Sequence, residues 1–464
     1  MPDKLNISRR DFLNGVALSV AAGTALSPLE ILAAANSRYY PPALTGLRGS
    51  HPGSFEVAHA AANMGARYAR PGQLTDSIYD LVVIGGGISG LAAAKLFRDQ
   101  AGAGSSILVL DNHDDFGGHA KRNEFDLDGR TLLCHGGSQS LESPGLYSAQ
   151  SKKLLQDLGI EPRRFYDYFD QDFFGRQGLR PAIYFPAKDY GRDLTLPNLV
   201  ESWGAAASAA AHREIIAQYP ISEASKGALL RLLHDETDYL APLPVAEKRK
   251  LLRSMSYTQF LRTYVAATEE VVTIMTDVKK GYWGFGWDAL SALEAARMEM
   301  PGTYGLGLDI QMRRADGDDE PYIFHFPDGN ASVARMLVRD LIPGSAPGST
   351  MEDVVLAPLD YSVLDRAGAA VRLRLNATAV DVVHTADQKH VDVLYVREGV
   401  VEQVRGRHVI LACYNMVIPH ICAELPAAQR QAINYPEKTP IAYISIALRN
   451  WRAFKNLGIY NVYQ

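Results

Sequence analysis

The chain has 464 residues, 47% of them hydrophobic and 21% charged, with a net charge of −5. That is ordinary globular composition with length for two or three domains, and the mildly acidic balance argues against nucleic acid, which wants a basic surface. The three cysteines, Cys134, Cys413 and Cys422, have no CxxC spacing, which speaks against a zinc knuckle, a disulfide framework or covalent c-type haem.

The chain opens with Ser8-Arg9-Arg10-Asp11-Phe12-Leu13, an apolar stretch over 15–26 and the small-residue run Ala33-Ala34-Ala35. Together these predict a twin-arginine signal over 1–35, read by the twin-arginine translocase, which exports folded proteins to the periplasm. The apolar stretch is too short to span a bilayer, and no other run reaches ~18 apolar residues, so no stable membrane insertion is expected. Residues 36–76, rich in Pro, Gly, Ala and His, read as an irregular extension. Residues 79–84 (YDLVVI) are a buried strand, 85–90 a turn, 91–99 a helix and 106–110 (SILVL) a second buried strand. These elements make one βαβ unit.

Residues 150–300 read as mainly helical. Helical periodicity covers 229–240, and 256–264 begins with a plausible N-cap in Ser256. Residues 282–287 (YWGFGW) form an aromatic, glycine-broken loop, and 330–341 an amphipathic helix. Strands are predicted at 371–375, 380–384, 391–396 and 408–412, and the alternation of 441–448 (IAYISIAL) predicts an antiparallel strand.

The chemistry concentrates in Gly85-Gly86-Gly87-Ile88-Ser89-Gly90, a GxGxxG fingerprint set between a strand and a helix as dinucleotide binding requires. Gly85 permits the tight turn, Gly87 lets backbone approach a pyrophosphate, and Gly90 lets helix and strand pack closely. The N–H groups of the helix start, around Ile88 and Ser89, favour phosphate charge. Asp111 follows the second strand at the spacing of a ribose-binding carboxylate.

After Asp111 comes Asn112-His113-Asp114-Asp115-Phe116-Gly117-Gly118-His119. A Gly-Gly pair followed by a polar residue here resembles the flavin-dependent amine oxidases, and implies FAD, with Gly117, Gly118 and His119 passing close to its diphosphate. The same resemblance implies that Val380, in Leu375-Asn376-Ala377-Thr378-Ala379-Val380, meets the adenine. It also implies that the apolar strand ending at Cys413 returns to the FAD domain, and that His135-Gly136-Gly137-Ser138-Gln139 lies beside the flavin ring. Within that clan the chain resembles the bacterial flavohaem spermidine dehydrogenases along its mature length. The residues carrying this are the signal, Tyr39-Tyr40-Pro41-Pro42 through His51-Pro52-Gly53, the fingerprint, and Phe326-Pro327-Asp328-Gly329-Asn330.

The resemblance implies an α/β fold: a Rossmann-like FAD-binding domain in two parts, 77–150 and 321–425, with an interleaved α+β substrate domain. The latter takes the mainly helical 151–320 and, at 426–464, the start of a sheet. Flavoproteins of this kind close their site with a later Gly-Asp segment that this chain lacks, so it is expected to be C-terminally truncated and to hold FAD weakly. The implied reaction is hydride transfer from the carbon beside an amine nitrogen to flavin, then imine hydrolysis to an aldehyde and a shorter amine. An amino-acid oxidase, a desaturase, or an FAD-binding protein without turnover remain alternatives, and the electron acceptor stays open. Trp283, Phe285, Trp287 and Asp288, or Tyr166, Asp167, Tyr168, Asp170 and Asp172, are candidates to meet a cationic small-molecule amine. A haem b, if present, would be non-covalent, with His51 and His59 as candidate ligands.

Overall fold

The computed structural model describes residues 40–199, 208–308 and 320–463; the signal at 1–35 lies outside them. In chain order the strands are β1 (Tyr79–Ile84), β2 (Ile107–Leu110), β3 (Arg122–Leu127), β4 (Arg130–His135), β5 (Arg180–Phe185), β6 (Leu194–Pro197), β7 (Val371–Arg374), β8 (Ala377–His384), β9 (Val391–Arg397), β10 (Val400–Leu411) and β11 (Ile459–Tyr463). The longer helices are α1 (Glu56–Asn63), α2 (Ile88–Ala101), α3 (Ala149–Asp157), α4 (Ala209–Ile216), α5 (Glu223–His234), α6 (Val245–Arg253), α7 (Glu269–Thr276), α8 (Ala331–Leu341) and α9 (Ala427–Asn434). The chain forms two compact units. One takes residues 40–165, Tyr322–Glu437 and Tyr443–Ala447; the other takes Tyr166–Pro321, Lys438–Ala442 and 448–463.

The first unit is built on a six-stranded sheet of order β7-β2-β1-β10-β9-β8. β1 pairs in parallel with β2 and β10, and β2 with β7. The apolar runs of β1 and β2 do not alternate, because a parallel sheet is covered on both faces; Leu81, Val82, Val83, Ile107 and Leu108 are wholly buried. β10 is longer than the predicted 408–412. Its first half pairs antiparallel with β9, its second half in parallel with β1, and Gly406 stands where the two pairings meet. A Cβ there would lie 2.7 Å from the His408 carbonyl oxygen, so only glycine fits. The sheet is α/β and Rossmann-like, with α2 as the crossover from β1 to β2.

β3 and β4 form a separate hairpin turned by Asp128 and Gly129, both at positive φ (54° and 76°). Asp-Gly at a two-residue hairpin turn suits the twist of the flanking strands. α8 is expected to be amphipathic, yet nine of its eleven residues are buried, Arg335 and Ser332 among them, so this helix runs through the interior of its unit. The 36–76 extension is not wholly irregular: it carries α1, whose Ala61 packs against Val380, Leu394 and Val396.

The second unit holds the three-stranded sheet β11-β5-β6 and α4–α7. Ser256 caps its helix as expected, and three further serines in this unit do the same. The hydroxyls of Ser208, Ser222, Ser256 and Ser291 accept the N–H three residues on. Its core gathers Leu229, Leu252, Tyr257, Phe260, Val271, Met275 and Trp287. Two expectations are corrected. The helix predicted over 229–240 spans Glu223–His234 instead, and Asp235 is already extended. Residues 441–448 form no strand: alternation alone does not make one without a partner to bond.

Candidate functional site

The glycine turn sits where β1 hands over to α2, and its glycines answer to different constraints. Gly85 has φ +112°, and a Cβ there would lie 2.5 Å from the Ala412 carbonyl oxygen at the end of β10. A Cβ on Gly90 would lie 1.9 Å from the Gly85 carbonyl oxygen, so this residue lets α2 rest on β1. Gly87 is unlike both. Its φ is −72°, and a Cβ would meet nothing nearer than the Gly118 Cα at 3.7 Å. The protein's own packing does not require glycine here; the space its missing side chain leaves is free.

That space lies at the start of α2, whose N-cap is Gly87 itself, with no side chain capping the first N–H groups. The N–H groups of Ile88, Ser89 and Gly90 lack intrahelical acceptors, and the helix dipole adds partial positive charge. The second Gly pair closes on the same place. The Gly117 N–H donates to the Gly86 carbonyl (2.8 Å), Gly117 bridges to Gly87, and a Cβ on Gly118 would approach the Gly87 Cα to 3.3 Å. Gly117 (φ +99°) is held by its own turn, since a Cβ would lie 2.4 Å from the Ala120 carbonyl oxygen.

Asp111 ends β2 and is buried. Its carboxylate accepts the Gly86 N–H (2.7 Å) and the His113 N–H (2.8 Å), tying the fingerprint to the loop that leads to Gly117. The neighbouring strand meets this loop at Asn376 and Ala377, whose N–H groups donate to the His113 and Asp111 carbonyls (both 2.8 Å). Val380 itself lies further along β8. It sits where the β8–β9 register shifts between Ala379 and Asp381, its side chain in the small α1 cluster, and the contact beside Asp111 falls three residues earlier. Asn376 holds φ +55°, which asparagine tolerates better than most residues; its place directly after a buried strand was the sequence signal for it.

The segment expected beside the flavin continues the same strip of backbone. The Gly136 N–H donates to the Lys121 carbonyl (2.7 Å), and Gly137 (φ +141°) lies against the carbonyl of His119, whose side chain is exposed. The Phe326–Asn330 stretch has a structural task here. The Asn330 N–H donates to the Ser138 carbonyl, and its side-chain amide donates to Ser138 Oγ (2.9 Å) and the Ser140 carbonyl (3.0 Å). Asp328, wholly buried, pairs with Arg122 on β3 and accepts the Ser332 hydroxyl. Burial pushes its carboxyl above the usual range.

At the rim of this strip, His135 Nε2 lies 2.8 Å from the Tyr443 hydroxyl, and its Nδ1 is buried without a hydrogen-bond partner among the described residues. Burial lowers the pKa of His135, and burial together with His135 lowers that of His325, so both rings are neutral at pH 7.

Other candidates do not come together. His51 is buried, with Nδ1 3.0 Å from the Pro52 carbonyl and Nε2 3.0 Å from an Asp114 carboxylate oxygen. With both ring nitrogens engaged by the protein, it is no ready haem ligand. His59 is exposed on α1 with its ring beside Phe55. No group of three or more His, Cys, Asp or Glu among the described residues is placed to hold a metal ion. Trp287 is enclosed in the core of the second unit, its indole N–H donated to the Val278 carbonyl. Phe285, Asp288, Tyr166, Asp167, Tyr168 and Asp172 are exposed, Trp283 is half-buried, and Asp170 pairs with Arg176. A cavity of about 590 Å³ in the first unit, lined by Arg98, Gly102, Ile342 and Val371, lies at the C-terminal end of α2, away from the fingerprint. No helix among the described residues is long and apolar enough to cross a membrane.

The model of one family, the NAD(P)-binding Rossmann-like domain, matches residues 83–158, from within β1 to the end of α3. That span holds the fingerprint, Asp111, both Gly pairs and the β3–β4 hairpin, so the first unit carries a nucleotide-cofactor domain of the oxidoreductase type. No curated protein matches the chain. Among solved structures, similarity is found to a CLA-producing fatty acid isomerase from P. acnes, at 13% identity and a TM-score of 0.36, over 77% of this chain. The chain spans 63% of that protein's length.

Proposed function

We propose that the chain holds FAD at the glycine cradle and oxidises an amine, a polyamine such as spermidine, at the carbon beside nitrogen. The observation that carries the cofactor reading is Gly87: no protein atom demands glycine there, and its free space faces an uncapped helix terminus. A diphosphate fits that requirement in charge and size. FAD, when bound, supplies the hydride acceptor. The chain's own groups do the rest: Gly87, Gly118 and the start of α2 take the diphosphate, and Asp111 stands at the ribose. Asn376 and Ala377 shape the adenosine side, and the His135–Ser138 turn lies toward the flavin.

The amine substrate rests on the resemblance and is supported by the rings at that turn. An amine must lose its ammonium proton before it can give up hydride, and a desolvated, uncharged surround eases this. His135 and His325, half-buried and neutral at pH 7, and the exposed Tyr443 offer an uncharged surround that does not repel a cation. The resulting imine hydrolyses to an aldehyde and a shorter amine. Since His51 does not fit a haem, no haem relay is proposed; a separate acceptor takes the electrons. Export to the periplasm by the twin-arginine route completes the reading.

The test is dye-coupled turnover of the FAD-loaded chain against amines, amino acids and alcohols. Dye reduction by spermidine with aldehyde release supports the reading. Turnover of amino acids or alcohols instead, or none with any amine, overturns it.

A further inference from the structure

The stretch 48–54 has no place in the cofactor reading, yet it lies across one segment of the site. Arg48 pairs with Asp114, and His51 Nε2 stands 3.0 Å from the same carboxylate. The Asn112 side-chain amide donates to the Ser54 carbonyl, His113 Nε2 lies 3.4 Å from the Gly49 carbonyl oxygen, and the His51 and His113 rings meet edge-on at 5.5 Å. Ser54 Oγ closes the stretch on itself by donating to the His51 carbonyl (2.6 Å). Asp114 and His51 are both buried, so this is a packed seam and not a surface pairing.

The segment so gripped, Asn112–Asp114, joins Asp111 to Gly117–Gly118. Those residues flank it in sequence and bond the fingerprint directly, through Gly86 and Gly87. A segment whose two ends both face the ligand sets the ligand's geometry through its middle. We infer that residues 48–54 are a strap that holds the dinucleotide site in its binding shape, with Arg48 and His51 as positioning residues that act through Asp114. Neither touches the cofactor; they fix the loop that does. By reciprocity, a cofactor that is tightened by the strap must tighten the strap in turn.

This inference rests on the dinucleotide reading of the site, and the experiment separates the two. FAD affinity and release rate are measured by flavin fluorescence for the wild-type chain and for Arg48→Ala and His51→Gln, with a thermal melt of each apo form as the control for folding. Hydrogen exchange of 46–54 in the wild type, with and without FAD, needs no variant; the N–H groups of Arg48, Ser50 and Ser54 are bonded within this stretch and report its opening. The expected results are at least tenfold faster FAD release in each variant and at least tenfold slower exchange of the strap when FAD is bound. FAD bound by the wild type but released at an unchanged rate by folded variants, or a strap whose exchange ignores FAD, overturns the strap alone. A wild type that binds no FAD overturns the site reading and the strap with it.

Discussion

Replacing Gly87 by alanine separates what the fold needs from what a ligand needs. The backbone there is at φ −72°, open to any residue, and the new Cβ would touch nothing nearer than the Gly118 Cα at 3.7 Å, an ordinary contact. Alanine is a poorer N-cap than glycine, at a cost on the order of 0.5–1 kcal/mol. Restricting the unfolded chain returns about 0.4–1 kcal/mol. Apo stability should therefore change by less than about 1 kcal/mol. A diphosphate, in contrast, would have to share its space with the methyl group, and we expect at least tenfold weaker FAD binding, about 1.4 kcal/mol. The comparison variant is Gly90→Ala, whose Cβ would lie 1.9 Å from the Gly85 carbonyl oxygen and force α2 off β1. Overpacking of that kind typically costs about 1–3 kcal/mol or more. Melting of the apo proteins and fluorescence titration with FAD give both numbers. The reasoning fails if Gly87→Ala binds FAD as the wild type does, or if it melts as low as Gly90→Ala.

Three further outcomes follow from the geometry. Arg122→Met leaves the wholly buried Asp328 without its cation, and urea unfolding should show a loss of about 3–5 kcal/mol; a loss below about 1 kcal/mol would mean the pair is dispensable. Asp111→Ala strands the Gly86 and His113 N–H groups, about 1–3 kcal/mol each, so melting should drop and FAD binding weaken together; an unchanged melt would count against the buried carboxylate's role. Burial lowers the folded pKa of His51, His135, His212 and His325 below the unfolded value near 6.5. The unfolded chain then binds more protons just below that value, so stability is full above pH ~6.5 and falls on acidification, by up to about 1.4 kcal/mol per pH unit for each ring. A melting temperature that stays flat from pH 7 to 5 would show that these rings do not titrate differently in the two states.

The parts legible in the sequence were those fixed by local pattern. β1, the turn and α2 announce themselves through a short apolar run, glycines at set spacing and a helical continuation, and each of these signals lies within a few residues. What could not be read was set by partners far along the chain. β11 bonds β5 across more than 250 residues, and nothing within Ile459–Tyr463 names its partner. Residues 441–448 alternate well and form no strand, because alternation reports a suitable surface and not a neighbour. α8 looked amphipathic, yet its Arg335 is buried and donates to the Ala357 carbonyl, a contact only the fold provides. At the site, glycine spacing led to the cradle, but which glycine answers to the protein and which to a ligand became visible only with neighbours in place. The hairpin before His135 carried a signal in Asp128-Gly129 that marks its turn. The partner of His51 lies more than sixty residues on, so its ring read as a free ligand.

The most direct measurement is to purify the chain after expression, denature it and identify the released small molecule by mass and absorbance. FAD is expected from the wild type, held weakly and so below one per chain, and markedly less of it from Gly87→Ala at unchanged fold. Release of a nicotinamide dinucleotide instead, or of no nucleotide from a folded chain supplied with FAD, would contradict the central claim.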